Sequence, residues 1–162
     1  MSDTFLNNFV ETHSSLARRL RFMDAGVWLG PPEGFPLAAE LAATDVGDVL
    51  AKHICTPGGL VSHWWGKVLS PQAGNSALAG AMDVMPGDFH GVYTGLPLLP
   101  GEIGVPFAEA VEFPRMAGVR IFPKSHGFPP SAWMIGDLCE ALVAHGIPLF
   151  IWHVELEWDS LR

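Results

Sequence analysis

Five short apolar runs recur along the chain, at residues 22–29, 60–65, 90–96, 118–122 and 147–154, with helix-patterned segments between several of them. No other feature limits the possible folds as strongly. Strands separated by crossovers of this length pair in parallel, because a hairpin needs only a few residues and a parallel return needs a dozen or more. Runs that are apolar throughout, rather than at alternate positions, belong to strands covered on both faces. Composition agrees: 49% of the 162 residues are hydrophobic and only 16% charged, which suits a sheet-centred α/β protein better than a helical bundle with charged outer faces.

The intervening segments supply the helices. Residues 4–21 carry Phe5, Phe9, Val10, Leu16 and Leu20 at helical spacing and predict a leading helix before the sheet. Thr44 and Asp45 are capping residues for a helix with Val46, Val49, Leu50 and Ile54. A loop is expected at Ser70-Pro71, a helix over 76–85 and a short helix over 107–112. Pro130-Ser131 opens a helix with Trp133, Ile135, Leu138, Leu142 and Val143 on one side, and Gly146 closes it. The chain therefore divides into an N-terminal helix, 1–21, and a sheet-forming portion, 22–162.

Several function classes drop out. The formal charge is −8 with only nine Lys and Arg, so there is no basic surface to neutralise a nucleic-acid backbone. No apolar stretch reaches the length of a membrane span, and no basic-then-apolar leader opens the chain. Cys55 and Cys139 sit far apart in apolar settings, which reads as two buried free thiols in a reducing, cytoplasmic compartment. Neither a Gly-x-Ser-x-Gly nor a Gly-x-Gly-x-x-Gly motif is present, which removes the nucleophile elbow and the dinucleotide fingerprint.

In parallel α/β folds, chemistry gathers where strands end and the following loops begin. Those ends hold His63 with Trp64 and Lys67, Lys124 with His126, and Trp152 and His153 with Glu155. Histidine and glutamate at one rim form the set that acid–base or metal chemistry draws on. Glu155 is a candidate base, or an orienter of His153, and His63 a second catalytic candidate. Lys124 and His126 are candidates for binding an anionic substrate. Trp64 and Trp152 either wall a pocket for a ring-bearing small molecule or pack between strands and helices.

These segments resemble the amidohydrolase family, in its amidohydrolase-related, decarboxylase-like branch. The residues that carry the resemblance are 22–30 (FMDAGVWLG), 60–63 (LVSH), 118–123 (GVRIFP) and 147–153 (IPLFIWH). It implies part of a TIM-type (β/α)8 barrel, about five parallel strands with crossover helices. It also implies a divalent metal, most often zinc, used to hydrolyse C–N or C–O bonds or to decarboxylate a ring-bearing acid. His153 maps onto the fifth-strand metal ligand. The family's first strand reads Asp-x-His-x-His, whereas here Gly26 and Trp28 stand at the histidine positions. Asp24 remains as the first-strand metal candidate, expected on the same face as Trp28. The last three strands of an eight-stranded barrel have no counterpart before Arg162. The expectation is therefore an impaired or truncated metal-dependent hydrolase. The alternatives are a non-catalytic, barrel-derived binding or assembly protein and an inactive truncated fragment, and open sheet edges would favour self-association.

Overall fold

A computed structural model describes residues 23–31, 43–50, 58–97, 112–113 and 115–156. The expected N-terminal helix over 1–21 lies outside these residues, as do Ile54, Cys55 and nearly all of the helix expected over 107–112.

Five parallel strands form one sheet in the order β1-β2-β3-β4-β5, wound as a half-barrel. They are β1 Met23–Leu29, β2 Gly58–His63, β3 Asp88–Thr94, β4 Met116–Ile121 and β5 Leu149–Ile151. The helices are α1 Ala43–Val49, α2 Trp64–Val68, α3 Pro71–Val84 and α4 Ala132–His145, and a 3₁₀ turn, His153–Glu155, follows β5. Each strand is laid beside its predecessor, always on the same side. Right-handed crossovers repeated in one direction deliver their helices to a single face of the sheet.

Strand alternation separates the two faces. Val27, Leu29, Val61, Phe89, Tyr93, Val119 and Ile121 pack into one cluster with Leu50 of α1, Leu78 and Met82 of α3 and Leu142 of α4. Their neighbours point the other way. The register aligns Trp28 with Ser62, Thr94 with Arg120 and Arg120 with Phe150, so these residues of the five strands lie on a second face of the sheet.

Three local features depart from the sequence reading. The second run was expected to continue as a strand to Trp65, yet it stops at His63. The His63 ring Nδ1 accepts the Trp65 N–H at 3.2 Å and so caps α2. The loop expected at Ser70-Pro71 is the start of α3: Ser70 Oγ accepts the Ala73 N–H at 3.1 Å, and Pro71 occupies the first helical position, where its missing N–H costs nothing. The fifth run was expected to extend over 147–154 but pairs only through Leu149–Ile151 before turning into the 3₁₀ segment.

In α4 the Gly146 cap is as expected, with φ 64° and its N–H turned back onto the last turn. Ile135, Leu138 and Leu142 face the core. Trp133 and Val143 do not share that side: they are 66% and 80% exposed. At 100° per residue, Trp133 lies 200° from Ile135 and Val143 lies 100° from Leu142, outside the inward stripe. Cys139 is a half-buried free thiol rather than a fully buried one. Among the described residues no helix is long and apolar enough to cross a membrane.

Candidate functional site

The C-terminal ends of the strands converge on a cluster of aromatic and charged side chains. Trp28 comes from β1, Trp64 opens α2 and Trp152 follows β5. Trp28 stacks on Trp64 with ring centroids 4.6 Å apart, and Trp152 lies 5.3 Å from Trp28 and 5.9 Å from Trp64. All three are half-buried, so their remaining surface faces solvent at the sheet end. Lys67 Nζ stands 5.8 Å from the ring centres of both Trp64 and Trp152.

Beside the tryptophans, the β4 and β5 ends are tied together. Glu155 is only 4% exposed. Its carboxylate accepts the Ser125 N–H at 2.8 Å and the Ser125 hydroxyl at 2.7 Å, and Lys67 Nζ is 3.7 Å away. The local chain explains how these groups meet. The 3₁₀ turn carries Glu155 back toward the sheet. Phe122 and Pro123 accept the N–H groups of His126 and Phe128, folding the 123–127 segment into a turn that presents the Ser125 N–H. A carboxylate with several donors is the arrangement in which a buried charge is tolerated.

His126 belongs to the same loop. Its Nε2 lies 3.2 Å from the Lys67 carbonyl, which can only accept, so Nε2 carries the proton. Its Nδ1 is buried and has no hydrogen-bond partner among the described residues. The ring stands edge-on to Phe122 at 5.5 Å.

The other expected site residues are dispersed. His63 is buried as the α2 cap, with its ring 5.0 Å from Trp65 and close beneath Gly30. A Cβ at Gly30, where φ is 80°, would come within 2.6 Å of that ring, so glycine is required there on two counts. Lys124 is exposed and takes no part in the cluster of Lys67, Ser125 and Glu155. His153 is exposed at the start of the 3₁₀ turn.

Asp24 is placed against expectation. A bulge between Asp24 and Val27 aligns Asp24 with Gly59 but Trp28 with Ser62. Those partners are three residues apart on β2, so Asp24 and Trp28 face opposite sides of the sheet. The Asp24 carboxylate accepts its neighbour's Gly26 N–H at 2.8 Å, a local bond that an alternation argument does not foresee. Asp24 and His153 thus lie at opposite edges and opposite ends of the sheet. Among the described residues, no group of three His, Cys, Asp or Glu side chains is placed to hold a metal ion. The donor set implied for zinc does not assemble there.

One functional candidate was missed in the sequence. Arg120 lies in the middle of β4, is 7% exposed, and donates from Nη1 to Ser62 Oγ at 2.9 Å. Its guanidinium carbon is 4.9 Å from the Trp28 ring centre and 5.7 Å from that of Phe150. Burial pushes its pKa below the ordinary guanidinium value. The group nonetheless stays charged at any physiological pH. The signal was available, because Arg120 is the only charged residue in the run over 118–122. A charge inside a strand covered on both faces needs a reason.

Comparison with protein-family models, with curated proteins and with solved structures found no match of any kind.

Proposed function

We propose that the chain is a barrel-derived ligand-binding protein, non-catalytic in these residues, which receives a small ring-bearing molecule at the C-terminal end of its sheet. The observation that carries this reading is the trio Trp28, Trp64 and Trp152, half-buried together at the end of a parallel sheet. Parallel α/β folds bind ligands at that end. Aromatic faces with cations beside them suit a flat partner. The in-order parallel sheet supports descent from a TIM-type barrel. The groups best placed for acid–base work are already engaged, Glu155 with Ser125 and Lys67, and His63 with the α2 backbone.

The test is a titration with benzamide, a neutral ring compound, followed through the indole N–H resonances and assigned with single Trp→Phe variants. Saturable shifts confined to Trp28, Trp64 and Trp152 are expected. Shifts that do not saturate, or that fall on Trp133, overturn the reading. The hydrolase reading implied by the family resemblance is separated by metal analysis. Zinc near one per chain that is lost on His153→Ala would favour it over a binding protein.

A further inference from the structure

We propose that Arg120 is the seat of a carboxylate-binding site on the face of the sheet that carries Trp28, Ser62 and Phe150, taking the carboxylate of a small planar monoanion. This rests on the ring-binding reading above and adds the charge of the ligand and the atoms that hold it.

Two buried charged side chains lie near this sheet end, and they differ in one respect. Glu155 is saturated by Ser125 and Lys67. Arg120 is not. A guanidinium offers five N–H donors, and one hydrogen bond is made, to Ser62. Among the described residues no carboxylate lies within ion-pair distance of Arg120. Asp24, the acidic residue of β1, is turned to the opposite face by the bulge. Withdrawing a cation from water is costly. Contact with the rings of Trp28 and Phe150 returns part of that cost. An anion at the guanidinium would supply the remainder.

The surroundings select the kind of anion. Trp28 and Phe150 flank the guanidinium, and rings there suit a flat group better than a tetrahedral one. A lone guanidinium matches a monoanion. The nearby second cation of the rim, Lys67, already lies against Glu155. A carboxylate meets the guanidinium fork through two parallel N–H bonds. Ser62, itself buried, holds the fork in place: its oxygen accepts from Arg120 Nη1. Trp28 continues from Arg120 to Trp64 and Trp152, so a ring attached to the carboxylate extends onto the tryptophans.

The experiment compares benzoate with benzamide, the same ring with and without the charge, by calorimetry on the full chain. Benzoate is expected to bind tighter than benzamide by about tenfold or more. Arg120→Met is expected to abolish that preference while benzamide still binds. Methionine is chosen because exchanging a buried charge for an apolar side chain of similar length is often tolerated. Ser62→Ala is expected to reduce the preference by a smaller factor. Equal binding of the two probes by the unmodified chain, which needs no variant to fold, overturns the carboxylate site and leaves the ring site standing. A benzoate preference that survives in Arg120→Met overturns Arg120 as its seat. Failure of both probes to bind removes the two readings together.

Discussion

Glu155 shows what a buried charge requires in this protein. Its carboxylate holds the 123–127 turn to the segment after β5 through both the backbone and the hydroxyl of Ser125, with Lys67 alongside. Removing it takes the acceptor from two donors of Ser125 and the counter-charge from Lys67, whose side chain is largely buried. Glu155→Ala is expected to cost about 2–4 kcal/mol of stability, and Glu155→Gln, which keeps one carbonyl oxygen as acceptor, clearly less. Urea denaturation of the two variants measures the difference. Equal losses would mean that packing, and not the Ser125 contacts, explains the burial. For Arg120, the folded state lowers the pKa of a cation, so the burden on stability exists wherever the guanidinium is charged and is relieved only as pH rises through the lowered value. Over about pH 6 to 9 the charge does not change, and carboxylate binding at this site is expected to be flat across that window. Calorimetric titrations of benzoate at both ends of it check this.

At the scale of elements, α2 and α3 meet more closely than side chains allow. A Cβ added at Gly74 would stand 2.2 Å from the Gly66 backbone. One at Gly66 would stand 2.4 Å from Thr94 Oγ1. Gly80, in the same helix α3, has nothing within 4 Å of that position. Gly74→Ala is therefore expected to destabilise by about 1–3 kcal/mol through overpacking. Gly80→Ala is expected to stabilise by about 0.5–1 kcal/mol, because it removes unfolded-state freedom without a clash. Thermal unfolding of the pair reports both signs. The approach has a purpose next door. Asn75, one residue on, spans the end of β3 with its amide, donating to the Thr94 carbonyl at 2.9 Å and accepting the Thr94 N–H at 2.8 Å.

These details mark the boundary of what the sequence made legible. All five strands were visible as apolar runs, and α4 was visible from its stripe and its glycine cap. The first turns of α3 were not, because Gly74 and Asn75 read as loop residues when they serve a close helix contact and a strand end. The rim was visible as a place, through His63, Trp64, Trp152 and Glu155. The connections within it were not, since Glu155 to Ser125 and Arg120 to Ser62 join residues 30 and 58 positions apart. Asp24 was misplaced because a single bulge reverses alternation upstream of it.

For the molecule as a whole, the in-order sheet leaves β1 and β5 outermost, and among the described residues no further strand pairs with either. Unpaired strand edges are templates for another chain. Self-association through these edges is accordingly expected to appear as a concentration-dependent shift in size-exclusion chromatography with light scattering. A monomer at all concentrations would count against it. The alternation of the strands has a further consequence, and it concerns how such a protein could change over time. Because neighbouring residues on a strand serve opposite faces, Val27, Val61, Val119 and Ile121 answer to the volume of the packed layer. Trp28, Ser62 and Arg120, each one position away, and Phe150, paired with Arg120, answer to whatever rests on the other side. Substitutions in the second set can retune recognition while the first keeps the chain folded, so one short stretch of sequence holds two traits open to independent selection.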